Sequence, residues 1–492
     1  LGIVILAVVN FNSLWYVVAA FSLTFFLYSL SYAKHKGITG GVNSRMRQVS
    51  WAPLVVLAIS VLFIVSGTSI GNAITRVLNI AQLEARPSFS TTVSIAKNAL
   101  SEHPVIGVGP NQFVMEWMKQ KPIAVNESVF WSVDFLSGVG NIPTSFVTTG
   151  GLGILAWIIF FVLFLFEGVR AVKKLHGDAF AHYLAFSSLI SALYFWIMAF
   201  AYTPSHAMYA LAFIFTGVFV ATLVLEKIVA EKEINFADHP GKSFVGSLVT
   251  IVLIIGSATC LYLSFERFAS FYVFNKSVFA YNTDRNLDTL QGRVENALIF
   301  DKNDVFYRTL TEIYLARLNE LAGKQPADNE VEALRVQFQE YLKRAIESAQ
   351  SAVNQNRDNY LNWLQLARVY ESVVPIRIEG AYDEAKKAYA EAERLNPTSP
   401  ALPLAQARLE VAKGDSKKAR DEITRSLQLK NNYTDAVFLL AQIEVADGNT
   451  KKAIEAVSAA AILSPTNPVV FFQLGFLHYN DRNWSEAIRA LE

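Results

Sequence analysis

Apolar runs of bilayer length constrain this chain most, because a segment inside lipid must satisfy its backbone hydrogen bonds within a helix. A span needs about 20 predominantly apolar residues. Beyond a short apolar stretch at the start, six runs approach or reach that length: Leu14–Tyr32, Trp51–Ser66, Val147–Val169, Phe180–Tyr202, Ala207–Val229 and Phe244–Phe265. Of the 85 charged residues, 28 lie in residues 1–270 and 57 in residues 271–492. The sequence therefore predicts an all-α chain, a polytopic transmembrane helix bundle followed by a charged helical region.

Overall charge and the ends of the sequence set further bounds. The net charge of +1 argues against nucleic acid as a partner. The only cysteine, Cys260, lies inside an apolar run, so an intrachain disulfide is excluded. Leu1–Val9 resembles the end of a span already under way, and Glu492 falls inside a repeat. We therefore expect the sequence to be a fragment with further spans upstream.

Basic residues between the apolar runs predict the orientation of the spans. Two clusters stand out: Lys34, Lys36, Arg45 and Arg47 in one loop, and Arg170, Lys173 and Lys174 in another. Both loops should be cytoplasmic by the positive-inside rule. The polar loop Gly67–Phe146 and everything after Phe265 should then be extracytoplasmic. The spans carry almost no ionisable groups at depth, which argues against a proton-coupled transporter.

Small residues recur every 34 positions in the second half of the chain. The recurring sets are Ala385, Ala419, Ala453 and Ala487; Ala407, Ala441 and Gly475; and Leu395, Leu429 and Leu463. An earlier unit, Trp363–Pro397, follows the same pattern with about six extra residues around 375–380. A helix–turn–helix period of this length is typical of tetratricopeptide repeats. The pattern predicts a superhelix over residues 345–492 whose concave face binds a protein partner.

The polar outer loop carries the remaining motifs. Pro87 stands at a helix start, and apolar residues at helical spacing follow as far as Leu100. The helix should end near His103, before the tight turn Gly107–Pro110. That turn lacks the strand and the third glycine of a dinucleotide-binding fingerprint.

At this loop the chain resembles the O-antigen ligase and O-antigen polymerase superfamily of bacterial membrane proteins. The resemblance rests on Arg86, on "HPVIGVGPNQF" (His103–Phe113) and on "TTGGLGILAW" (Thr148–Trp157), and it spans roughly residues 14–229. An extracytoplasmic tetratricopeptide tail is a common attachment to this family. The resemblance implies a multi-pass protein of the bacterial inner membrane with its repeat domain outside the cytoplasm.

The resemblance also implies a reaction. Members transfer a glycan from undecaprenyl diphosphate to a hydroxyl acceptor at the outer membrane face, as metal-independent glycosyltransferases without a cofactor. Arg86 takes the position of the family's loop arginine, and a guanidinium suits the diphosphate leaving group. The alternative for Arg86 is a structural pairing with Glu84 or Glu102. Further candidate substrate-binding residues in the loop are Lys97, Gly107, Gly109, Lys119 and Lys121.

One family element is absent from the sequence. The family's histidine, thought to activate the acceptor, falls on Val139, which cannot take a proton. Candidate substitute bases are Asp134, Glu127, His103 and His206. Otherwise the protein relies on positioning alone, or it is a non-catalytic tetratricopeptide scaffold or glycan-lipid receptor. The predicted domains are transmembrane helices in 1–66, the outer loop in 67–146, transmembrane helices in 147–265, a juxtamembrane helix with degenerate repeats in 266–344, and tetratricopeptide repeats in 345–492.

Overall fold

The computed structural model describes residues 12–35, 51–78, 86–175, 179–230, 240–323 and 331–492, together with positions 3, 6 and 7. The chain divides into two compact units. Unit 1 is Leu1–Phe113 with Phe135–Lys232, and unit 2 is Val114–Asp134 with Glu233–Glu492. Every regular element in the described ranges is helical, without a β-strand. This confirms the all-α class.

Seven α-helices account for the first part of the described chain, with a 3₁₀ helix (Ile123–Glu127) between the fourth and the fifth: α1 (Asn12–His35), α2 (Ala52–Leu78), α3 (Phe89–Glu102), α4 (Phe113–Gln120), α5 (Asn141–Lys174), α6 (Ala179–Ala201) and α7 (His206–Leu225). All but α4 belong to unit 1. Helices α1 and α2 pack against each other, as do α6 and α7, and α3 packs on α5. Trp196, 2 % exposed, is central to the core of α5–α7. Its indole N–H donates to Thr216 Oγ1 at 3.0 Å.

Each of the six predicted apolar runs beyond residue 9 falls within, or extends slightly past, a helix. Four described helices are long and apolar enough to cross a membrane, namely α5, α6, α7 and α8 (Pro240–Asp284). The apolar parts of α1 and α2 are shorter, Leu14–Leu27 and Ala52–Gly67. Helix α2 continues to Leu78, past the predicted end at Ser66. The end of an apolar run shows where hydropathy falls and does not show where the helix ends. Leu1–Val9, apart from positions 3, 6 and 7, and the basic loop 36–50 lie outside the described residues.

Helix α8 has an apolar N-terminal half and a C-terminal half that packs against the repeat region. It is 45 residues long and continuous. Towards its C-terminal end, Phe271 and Phe274 pack against Phe306, with ring centroids 5.2 and 4.7 Å apart. Phe268 and Phe279 on the same helix are 69 % and 75 % exposed. The aromatic side chains of this half therefore divide: Phe271 and Phe274 contribute to the first core of unit 2, and Phe268 and Phe279 remain on the surface.

The rest of unit 2 is a series of antiparallel helices: α9 (Leu287–Phe300), α10 (Asp304–Ala322), α11 (Val331–Gln355), α12 (Tyr360–Ser372), α13 (Ala381–Leu395), α14 (Ala401–Lys413), α15 (Ser416–Leu429), α16 (Thr434–Ala446), α17 (Thr450–Leu463), α18 (Pro468–Asn480) and α19 (Trp484–Leu491). From α12 onward the helices pack as consecutive pairs. Ala385, Ala419 and Ala453 are fully buried where the pairs meet. The 34-residue period is thus a period of helix pairs, and residues 360–491 form tetratricopeptide repeats.

The turn within each helix pair has a left-handed residue. Gly380, Gly414 and Gly448 have φ values of 78°, 88° and 79°, and the next position of the period, Arg482, has φ 61°. This conformation strains any residue with a Cβ, which explains the glycines. Arg482 adopts the same left-handed conformation although it carries a Cβ.

Candidate functional site

Arg86 joins three segments of unit 1. Its Nη1 donates to the carbonyl oxygen of Ala201 at 2.6 Å and to that of Val139 at 3.1 Å. Its guanidinium also lies over the Tyr202 ring, 5.2 Å from the centroid. Ala201 is the last residue of α6, whose final carbonyls lack partners within the helix. A cation at this end also complements the helix dipole. Arg86 therefore ties the start of α3 and the loop before α5 to the C-terminus of α6.

The backbone around Val139 is held in place independently of Arg86. The Val139 N–H donates to Thr92 Oγ1 at 2.9 Å, and the Gly138 N–H donates to Thr144 Oγ1 at 2.9 Å. A Cβ on Gly140 would lie 2.2 Å from the Phe200 carbonyl oxygen, so only glycine allows this approach to α6. Val139, the position of the family's histidine, is 7 % exposed and offers the site its carbonyl group.

A pocket of about 480 Å³ opens beside the arginine. It is lined by Arg86, Pro87, Ser88, Phe89, Val139, Phe200 and Ala201. A half-buried guanidinium beside apolar side chains suits a ligand with an anionic group attached to an apolar one. The arrangement can therefore hold a phosphate-bearing amphiphile.

The two glycine motifs pair with each other through their backbones. Gly150 (φ 63°, ψ −156°) interrupts α5, which frees carbonyl and N–H groups on either side of the break. The N–H groups of Val108 and Gly109 donate to the Val147 and Thr148 oxygens at 3.0 and 3.1 Å. In return, the N–H groups of Gly151 and Leu152 donate to the Pro104 and Val105 oxygens at 2.9 and 3.0 Å.

This exchange explains why both motifs contain glycine. A Cβ on Gly107 would lie 2.4 Å from the Val147 oxygen, and one on Gly150 would lie 2.2 Å from the Gly107 nitrogen. Gly107 and Gly109, predicted to bind substrate, thus have a structural role in unit 1. Their contribution to substrate binding stays a prediction.

Three other predicted site residues also lie in unit 1. His206 is the exposed first residue of α7, and Lys97 is exposed on α3. His103 is the C-cap of α3, its backbone N–H donating to the Ala99 oxygen at 2.7 Å. The predicted helix that ends near His103 is confirmed as α3, although not all of its apolar residues are buried. Phe89 and Val93 are about half exposed at 53 % and 47 %, whereas Thr92 and Ile95 are buried.

The remaining four predicted residues belong to unit 2. Lys119 pairs with Glu116 at 2.9 Å, and Glu127 is exposed. Lys121 is buried, and its Nζ donates to the Trp131 oxygen at 2.6 Å. Asp134 Oδ2 lies 3.5 Å from the hydroxyl of Tyr360. The structure therefore does not place these four in the same unit as Arg86.

Burial shifts the pKa values of two of these groups. Desolvation raises the pKa of the Asp134 carboxyl above its ordinary value, with Lys121 and Tyr360 acting in the opposite direction. Desolvation likewise lowers the pKa of the Lys121 amine, opposed by Asp134. Within the described residues, no group of three or more His, Cys, Asp or Glu side chains is placed to hold a metal ion.

Sequence reasoning missed four residues at which the loop meets the repeats: Asn126 and Trp131 in the loop, and Lys430 and Tyr433 in the repeats. A signal was present in the period. Lys430 replaces the small polar residues Asn396 and Ser464 found 34 positions away, and Tyr433 stands between Ser399 and Asn467 in the same way.

Comparison with known proteins finds similarity to tetratricopeptide structures. No family model matches the chain, and no curated protein matches it. MamA is 17 % identical over 34 % of this chain and 92 % of its own, with a TM-score of 0.25. A TPR protein of Thermus thermophilus is 15 % identical over 44 % of this chain and 98 % of its own, with a TM-score of 0.31. YrrB is described as a TPR protein with an unusual peptide-binding site. It is 18 % identical over 40 % of this chain and 88 % of its own, with a TM-score of 0.25.

At these TM-scores, the assignment of the repeats rests on the chain's own helix pairs and their 34-residue period. Nothing in the comparisons supports the resemblance to the O-antigen ligase superfamily, which stays a prediction.

Proposed function

We propose that this chain is a multi-pass protein of the bacterial inner membrane that acts on a lipid-linked glycan at the outer membrane face. In this proposal, unit 1 binds undecaprenyl diphosphate-linked glycan as O-antigen ligases and polymerases do. The extracytoplasmic repeats bind a protein partner. The observation that carries the proposal is the Arg86 guanidinium, oriented by the Val139 and Ala201 carbonyls at the edge of an amphipathic pocket.

The surface of α8 supports the membrane location. Its large side chains between Phe244 and Leu263 are apolar and exposed, for example Val252 at 60 % and Ile255 at 61 %. A continuous apolar surface of this length suits a hydrocarbon surrounding. The loop charges predict that the chain leaves this helix on the outer side.

Arg86 would stabilise the diphosphate leaving group, on which negative charge accumulates as the glycosidic bond breaks. Among the predicted substitute bases, His206 and His103 belong to the same unit as Arg86. Both are exposed, and His206 is favoured because it follows closely after Tyr202, whose ring contacts the Arg86 guanidinium.

A transfer assay in proteoliposomes containing undecaprenyl diphosphate-linked glycan tests the proposal. Arg86→Ala should lower the transfer rate by roughly 100-fold, as expected for removing a charge-stabilising donor. Arg86→Lys keeps the charge but lacks the planar fork, so it should retain part of the activity. Lys302→Ala removes an exposed cation from unit 2 and serves as the control. Transfer by Arg86→Ala at the parental rate would exclude this site.

Val139 favours a second candidate, a non-catalytic glycan-lipid receptor, because a buried valine cannot act as a base. In that case the parental protein would bind the lipid-linked glycan in an Arg86-dependent manner without releasing undecaprenyl diphosphate. Measuring binding and release on the same proteoliposomes separates the two candidates.

A further inference from the structure

Residues 121–134, here named the docked segment, pack with the repeats although they come from the loop between α4 and α5. The chain leaves unit 1 after Phe113 and re-enters it at Phe135, and the intervening residues belong to unit 2. The loop therefore supplies the repeats with a stretch of polypeptide that is distant in sequence from every repeat.

Asn126 is the centre of the docked segment. It is fully buried, and its Nδ2 donates to the carbonyl oxygens of Thr398 at 2.8 Å and Leu429 at 3.1 Å. The backbone carbonyl oxygen of Asn126 accepts from Lys430 Nζ at 2.7 Å. Thr398 lies in the turn that closes one repeat, and Leu429 ends the last helix of the next. A single amide therefore bridges consecutive repeats.

Trp131 provides the apolar contact. Its ring lies 5.1 Å from that of Tyr433, and Lys430 Nζ lies 5.7 Å from the Trp131 centroid. The indole packs on the cluster of buried side chains between α14 and α16. Aromatic and cation–π contacts of this kind both stabilise the docked segment on the repeats.

The repeat side of this contact departs from the repeat consensus. Lys430 and Tyr433 replace small polar residues at the equivalent positions of the neighbouring repeats, Asn396 with Ser464 and Ser399 with Asn467. The repeat fold itself does not require a lysine or a tyrosine here, since the neighbouring repeats close without them. Both side chains instead contact the docked segment, which marks this junction as a specialised binding surface.

We propose that the repeat junction formed by Thr398, Leu429, Lys430 and Tyr433 is a peptide-binding site for an asparagine-centred turn with an aromatic residue five positions later. The docked segment is its built-in ligand. A protein partner with the same chemistry binds by displacing that segment. Because tethering gives the internal ligand a high effective concentration, a free peptide binds weakly until the segment is weakened. The proposal concerns unit 2 alone and is independent of glycan transfer.

The test uses the full chain in detergent and a fluorescein-labelled peptide with the sequence of residues 121–134. Its matched control is the same peptide with alanine in place of asparagine. The peptide should bind the double variant Asn126→Ala, Trp131→Ala at least tenfold more tightly than the parental protein. Adding Lys430→Ala should weaken that binding at least tenfold, and the control peptide should bind at least tenfold more weakly. Equal binding of the two peptides, or binding independent of Lys430, overturns the proposal.

Hydrogen exchange of the single variant Lys430→Ala provides a second measurement that does not depend on the double variant. Amide exchange in residues 121–134 should accelerate at least tenfold, while α15 and α16 keep their protection. Loss of protection in those helices as well would make the segment a structural part of the repeats and would overturn the proposal.

Discussion

At the scale of single residues, backbone groups determine the geometry around the candidate site. Arg86 contacts the Val139 and Ala201 carbonyls, so the identities of those side chains say little about the contact. The sequence could single out Arg86 through its position in a motif. It could not show that the arginine caps α6, because every residue carries the carbonyl that accepts the bond.

Gly107 permits a prediction at this scale. Gly107→Ala should destabilise unit 1 by roughly 3 kcal/mol, combining left-handed strain with a backbone collision. The measurement is the thermal midpoint of the detergent-solubilised protein. Gly217→Ala in α7 is the matched control, because a Cβ there meets nothing within 4 Å. An unchanged midpoint for Gly107→Ala would contradict the backbone pairing between the motifs.

At the scale of elements, the repeats were predictable and the docked segment was not. Ala385, Ala419 and Ala453 recur because paired helices meet at fixed points, so packing leaves a periodic trace in the sequence. Asn126 leaves no such trace, since its partners are the carbonyl groups of Thr398 and Leu429 and the Lys430 amine. Only the departures from the period at Lys430 and Tyr433 hinted at it.

The left-handed turns of the repeats yield a prediction at this scale. Arg482→Gly should stabilise the pair α18–α19 by about 1 kcal/mol, because glycine removes the strain of φ 61°. Gly448→Ala, in the equivalent turn of the preceding pair, should cost about the same amount. Hydrogen exchange of the two helix pairs measures both changes. Faster exchange in α18–α19 of the Arg482→Gly variant would contradict the claim that Arg482 is strained.

At the scale of the whole molecule, two covalent routes connect unit 1 to the repeats. One runs through the docked segment, which is joined to unit 1 at both of its ends. The other runs through residues 231–239, which lie outside the described residues, and then along α8. Sequence hydropathy marked the apolar half of α8 but not its continuation into the repeat core, since the change in composition near residue 265 suggested a boundary. Phe274 and Val273 show that the same helix serves both regions.

The continuity of α8 across residue 264 can be tested by inserting residues into the helix. One alanine inserted after Ser264 should turn all later residues by about 100° and advance them by about 1.5 Å. A spin label at Cys260, which is exposed and precedes the insertion, and a second label at Lys302→Cys, which follows it, should then report a changed distance within unit 2. An unchanged distance between the two labels in the single-insertion variant would show that α8 is not one continuous helix across residue 264.

The underlying quantity is helical phase. Because an α-helix turns by about 100° per residue, seven or eleven added residues return the repeats to within about 20° of their original direction, whereas two or five turn them away. Because α8 is continuous, the direction of the repeats relative to its apolar half depends on the exact number of residues in the helix. Lengthening it by steps near whole turns keeps the direction of the repeats relative to the apolar half of α8, and intermediate lengths do not.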